Sequence, residues 1–346
     1  MGRKELLAEV EELATAVYAL LVLTFQLDNA KRQDLVSIFR SLDVATTMQL
    51  RVSRETISKN LRTLSKLVGC KLDRTDLART YQDLFGGGFR FTHIPKWRLD
   101  AAYFDRFGEI WPGWENLPAH ALIPFDPSGA YLGPGERQYY LPEAALFEDM
   151  CFAYNNSLAQ KDRAGRPPYD KKIVKAHSFF MRAALLSAFY FVEAYLNGVA
   201  FDFVLKNRNP LGQEALDRLL EWDSKKKRQR WVKFRDKALQ YPKIILGQKD
   251  PPLHEANCSE LATLIERGRE VRDAIVHQSP KPDFETRRPE KVRGMMQISQ
   301  ELVTEVVDAS IGFVRKVNAL LAVHGEDLSW LCDRETTGLF PDKVFD

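Results

Sequence analysis

Arg272 and His277 are the side chains of this 346-residue chain whose types and spacing could do chemistry. They lie in the segment Glu270-Val-Arg-Asp-Ala-Ile-Val-His277-Gln-Ser-Pro-Lys281. A histidine titrates near neutrality, so it can take or return a proton at a 2′-hydroxyl or a leaving 5′-oxygen. An arginine offers a planar fork to phosphate oxygens and stabilises the charge that builds up in the transition state. Together they suit cleavage of an RNA phosphodiester. Asp273 stands one helical turn before His277, on the same face, where it could set the imidazole's orientation or tautomer. Arg272 and His277 are five apart, so on one helix they differ by about 140° in direction and about 7.5 Å in height. They cannot share one tight face. A site that uses both must lie in a cleft closed by another helix or by a second subunit. Taken alone the spacing is common, and a solvated arginine beside a helix-terminal histidine gives the same pattern.

Two further sets of residues could serve such a site. Glu193 interrupts the apolar run Ala183 to Ala200, and Asn197 follows one turn later on the same face. A buried carboxylate needs a cationic or hydrogen-bonding partner. Glu193 could therefore hold Arg272 or position the histidine, or it could be a polar pin between helices. The second set is basic: Lys225, Lys226, Lys227, Arg228 and Arg230, then Lys233, Arg235 and Lys237, with Trp231 among them. Cations for phosphates plus a stacking aromatic would fit single-stranded RNA. A solvated basic face fits the cations equally, and for Trp231 the favoured expectation is a buried packing position. No metal-ligand cluster and no cofactor motif is visible, so none is expected. The four cysteines (Cys70, Cys151, Cys258, Cys332) are far apart and form no C-x-x-C pair. The other histidines (His93, His120, His177, His254, His324) have no ligand-like spacing.

These residues must be positioned by helices. Leu6, Val10, Leu13, Val17 and Leu21 give residues 4–27 a helical period, and further helices are expected over 31–42, 53–68 and from Asp73 to Gly86. Prolines 95, 112, 118, 124, 127 and 134, among glycines and aromatics, favour short strands and ordered loops over 89–141. A helix over 142–160 and a linker over 161–168 follow. Ala176 to Leu205 is the strongest helical signal, and others cover 212–221, 258–277 and 290–323. The chain thus reads as mainly α: an N-terminal helical module (1–88), an irregular connecting region (89–168), a helical bundle (169–325) and a mostly polar tail (326–346). The length supports two domains, and a net charge of +3 confines any basic footprint to local patches. Acids near Met1 argue against a secretory signal, and Glu193, Asn197 and Asp202 argue that residues 183–200 are a core helix rather than a membrane span. A reducing cytoplasm is the natural setting.

The order of these pieces resembles the HEPN superfamily. Its signature is an arginine, a polar residue, three more residues and a histidine, as in Arg272-Asp273 to His277, and Pro280-Lys281 follows here as in several of its families. Ala183 to Asn197, with Glu193 inside, is similar to the family's first long helix. Lys227, Trp231, Pro242 and Leu246-Gly247 resemble the basic link before the motif helix. The resemblance spans about residues 176–323. It implies a helical and usually dimeric fold. Many members are metal-independent ribonucleases that leave a cyclic phosphate, while others only bind. It also implies a toxin or antiviral defence effector, with an antitoxin or regulatory partner.

A second resemblance is weaker. Val52 to Leu61 is similar to the recognition helix of helix-turn-helix regulators, but Thr47 and Arg51 stand where that motif usually has alanine and glycine, and no clear wing follows Gly69. A plain amphipathic helix fits these residues too. The rival to an enzyme is therefore a non-catalytic binding protein, either a HEPN-like scaffold or a DNA-binding regulator.

The angular offset of Arg272 and His277 favours a homodimer whose two-fold axis runs by the motif helix, because two copies bring both residue types to one cleft. Sedimentation is expected to show a dimer, and mixed Arg272→Ala and His277→Ala subunits should recover part of any activity. An active monomer would overturn the composite site.

Overall fold

The computed structural model describes residues 2–23, 37, 40–42, 44–67, 93–97, 116–124, 139–276, 298–325, 328, 330 and 331. These fall into two compact units, Met1–Tyr140 and Leu141–Asp346. The described structure is mainly helical.

In the first unit α1 (Arg3–Leu23) packs on α2 (Thr47–Leu67). The stripe Leu6, Val10, Leu13, Val17 and Leu21 is buried, as a period of three to four residues requires of a one-sided helix. Glu9 of α1 pairs with Arg54 of α2 at 2.9 Å. α2 runs unbroken through Arg51, where a helix-turn-helix would need its turn. Residues 44–67 therefore carry an amphipathic helix, with Leu50, Ile57 and Leu61 buried. β1 (His93–Pro95) and β2 (Leu122–Pro124) pair antiparallel with Ile94 opposite Ile123. The expected Asp73 helix, the Gly86 stop and most of the second helix lie outside the described residues.

The second unit is built on a helical hairpin. α3 (Pro142–Ala164) opens with Pro142 in its first turn, where the missing N–H costs no hydrogen bond. α4 (Lys171–Asn207) is 37 residues long, and the Asp170 carboxylate caps it by accepting from the Lys172 N–H at 2.8 Å. α3 packs along α4, with the Phe147 ring 5.4 Å from that of Phe191, and the compact unit that holds both begins at Leu141, where the sequence suggested 169. The expected linker is shortened because α3 continues to Ala164. α4 is long and apolar enough to cross a membrane by length and composition, yet 61% of its apolar window is buried inside this unit.

Next come α5 (Gln213–Leu219), a two-residue hairpin of β3 (Trp222–Asp223) and β4 (Arg228–Gln229), and α6 (Phe234–Ile245). The expected motif helix is three consecutive helical pieces: α7 (Ser259–Ala262), a π-helical segment (Thr263–Gly268) and α8 (Arg269–Val276). α9 (Gln300–Leu321) closes the core and is capped by the Ser299 hydroxyl, which accepts from Leu302 N–H at 3.2 Å. Gln300 joins three helices, donating to Ser157 at 2.9 Å and bonding His177 at 3.2 Å. Tyr195 donates to Asn318 at 2.9 Å. The tail is not wholly polar in placement: Leu331 is buried, and Trp330 packs edge-on to Phe147 and Phe191.

Gly268 decides how close the motif helix comes to the core. A Cβ there would stand 3.0 Å from both the Phe189 ring and the Val306 side chain. Both neighbours are fully buried, so neither can give way cheaply. Gly268→Ala is expected to cost about 1–3 kcal/mol through overpacking, seen as a lower melting temperature. Wild-type melting would show that the π segment shifts freely.

Candidate active site

Glu193 sits in the middle of α4 with 16% of its side chain exposed, and its two oxygens serve two cations. Oε2 meets the Lys237 ammonium of α6 at 3.3 Å, and Oε1 accepts from Arg272 Nη1 of α8 at 3.4 Å. Lys237 is 2% exposed. It also donates to Asn197 at 3.2 Å and pairs with Glu221 at 2.9 Å. Three acceptors around three ammonium N–H groups leave Lys237 fully satisfied, which is the condition for burying a charge.

Arg272 is 19% exposed, and its guanidinium lies 5.0 Å above the Phe189 ring. Nε and Nη2 both donate to Asp273 Oδ1, at 3.0 and 2.6 Å. Asp273 therefore partners Arg272 through Oδ1, and the histidine that it was expected to orient lies outside the described residues. His277 follows Val276 directly but lies outside the described residues, as do Pro280 and Lys281. The structure thus brings together Glu193, Asn197, Arg272 and Asp273.

The basic segment folds as the β3–β4 hairpin and its flanks. Asp217 of α5 fastens it, accepting from the Ser224 hydroxyl at 2.7 Å and the Ser224 N–H at 3.0 Å. Those hydrogen bonds, with one from Gln213, hold the Asp217 carboxyl below its ordinary range. Lys225, Lys226, Lys227, Arg228 and Arg230 are all exposed. None is a partner of Arg272 among the described residues. Trp231 corrects the expectation of a buried packing role: it is 79% exposed, and the Lys237 ammonium lies 5.7 Å from its ring centre.

Three residues of the site had no signal in motif or spacing. Glu221 takes a left-handed backbone, φ 51°, that costs a non-glycine residue about 1–3 kcal/mol. That turn brings its carboxylate to Lys237 and to the Val232 N–H at 3.3 Å. Lys237 read as one more cation of a basic run, although its place among the apolar Phe234, Ala238 and Tyr241 could have suggested an inward face. The buried Tyr241 hydroxyl has no hydrogen-bond partner among the described residues. Burial, then the Glu221 and Glu193 carboxylates, raise its pKa far above the ordinary phenol value, so it stays neutral.

Among the described residues no three His, Cys, Asp or Glu side chains converge as a metal site. Comparison with protein-family models, curated protein sequences and solved structures finds no match to the chain. The site is therefore read from its own geometry.

Removing the buried ammonium should be severe, because it leaves the largely buried Glu221 carboxylate without its cation and Glu193 with Arg272 alone. Lys237→Met is expected to destabilise by about 3–5 kcal/mol, whereas Lys233→Met, at an exposed position, should change stability by less than about 0.5 kcal/mol. Chemical denaturation of both variants measures the contrast. Equal stabilities would mean that Lys237 is not the counter-ion of Glu193.

Proposed function

We propose that the C-terminal unit is an endoribonuclease of HEPN type that cleaves RNA through its own 2′-hydroxyl, without a metal ion. The observation that carries the reading is the clamp on Arg272. Glu193, Asp273 and the Phe189 face fix the guanidinium on the last described turn before His277. A fixed guanidinium stabilises a developing phosphorane without the entropy cost of ordering a free side chain. In the reaction the 2′-oxygen attacks phosphorus, and the P–O5′ bond breaks. His277 of one subunit takes the 2′-hydroxyl proton or supplies a proton to the leaving 5′-oxygen. The products are a 2′,3′-cyclic phosphate and a 5′-hydroxyl. A homodimer would supply Arg272 and His277 from both copies to one cleft.

The exposed cations of the β3–β4 hairpin and the bare Trp231 ring support RNA as the substrate, since they offer phosphate contacts and a stacking face close to the buried Lys237. A cytoplasmic defence or toxin role, with an antitoxin or regulatory partner, is the setting that the family resemblance supplies.

One observation favours a second reading, a non-catalytic HEPN-like binding scaffold. Asp273 already holds two of the Arg272 N–H groups, and an incoming phosphate would have to displace it. In that reading the clamp is purely structural, and RNA would bind with a strong salt dependence and stay intact.

RNA incubated with the purified protein should be cleaved to cyclic-phosphate ends, with or without chelator. DNA should survive, and His277→Ala should abolish cutting while binding persists. Products with a 3′-hydroxyl, or activity lost to chelator, would sink the proposed chemistry. Salt-sensitive binding with intact RNA would establish the scaffold.

A further inference from the structure

A second candidate site lies at the other end of α4. The end of α3, Tyr169 of the loop after it and the first three turns of α4 border a shallow, solvent-open depression of about 550 Å3, lined by Ala164, Tyr169, Lys171, Val174, Lys175, Ser178 and Arg182. Clefts of roughly 300–1,000 Å3 are the usual size for small organic ligands.

The lining is one-sided in charge. Lys171, Lys175 and Arg182 contribute three cations, and no acidic residue is among the lining side chains. The acids nearest in sequence are engaged elsewhere. Asp170 caps α4 through the Lys172 N–H, and Asp162 pairs with Arg166 at 3.7 Å. Lys171, Lys175 and Arg182 form no ion pair among the described residues. Three unpaired cations in one concavity repel each other, a cost that an anion would relieve.

The spacing gives the anion a shape. Lys171, Lys175, Ser178 and Arg182 fall at i, i+4, i+7 and i+11, so they make a single ridge along α4. That ridge rises about 16 Å from end to end. An aromatic ring, Tyr169, stands at one end and is 65% exposed. A ring at one end and cations with a hydroxyl beyond it match a ligand with a flat base at one end and several phosphates in line. Val174, between them, offers apolar contact to a sugar face.

We propose that this depression binds a nucleotide carrying two or three phosphates, with its base on Tyr169 and its phosphates along Lys175, Ser178 and Arg182. The site is distinct from the Glu193–Arg272 cluster, since Arg182 and Glu193 are eleven residues, about 16 Å, apart on the same helix. It does not depend on the ribonuclease reading.

Titration calorimetry on the full chain tests it, with ATP, ADP, adenosine, tripolyphosphate and a short single-stranded RNA as probes. ATP and ADP should bind, and adenosine at least tenfold more weakly. Lys175→Glu should weaken ATP at least tenfold, and Tyr169→Ala should weaken ATP but leave tripolyphosphate unchanged. Both residues are exposed, so circular dichroism of the variants should match the wild type. Failure of ATP to bind, or equal ATP binding by wild type and both variants, would overturn the proposal. So would RNA binding that these variants abolish while ATP is ignored, because the ridge would then be a track for a polynucleotide.

Discussion

A carboxylate in the middle of the longest apolar helix has to be neutralised, and the neutralisation of Glu193 sets the positions of three other elements. Lys237 must reach it from α6, which fixes that helix against α4. Glu221 must then bend into a left-handed turn to complete the ammonium's shell, which fixes where the basic hairpin begins. Arg272 takes the remaining oxygen, which fixes the rotation of α8. An all-apolar replacement could pack as well or better, since buried ion pairs gain little net stability. What the charges provide is a single allowed arrangement, because every mispaired alternative leaves one of them bare in a low dielectric.

Packing enforces the same arrangement from the other side. Phe189, one turn before Glu193, touches the motif helix twice: its ring stacks on Arg272 and also forbids a side chain at Gly268. The π-helical segment lies at this contact. It widens the turn just before Arg269 and so sets the direction in which α8 leaves the core. Hydrophobic closeness and ionic geometry therefore converge on one side chain, the Arg272 guanidinium.

The hairpin has the opposite character. Its cations and Trp231 project into solvent, held only by short-range ties such as Asp217 to Ser224. An internally paired cluster of buried and half-buried charges thus stands near a rim whose charges are solvated.

Much of the fold was legible in sequence because amphipathic period and caps are local. The stripe of α1, the long helical run of α4 from Ala176 and the mainly α class all follow from residues close along the chain, whereas the first turn of α4, from Lys171 with its Asp170 cap, was not read. The pairing of Glu193 with Arg272 was foreseen as an option because a buried acid needs a cation and the motif offers one. The tertiary structure alone decided three things. α3 belongs to the second unit, because its apolar face is matched by α4 and not by any feature of its own segment. Trp231 is outside, since burial depends on whether another element arrives to cover a ring. Lys237 is inside, because a charge enters a core only where distant residues, here Glu193, Asn197 and Glu221, supply its partners. Local pattern selects helices and caps; which charges are buried is a sum over contacts between residues far apart in the chain, and no window of sequence contains that sum.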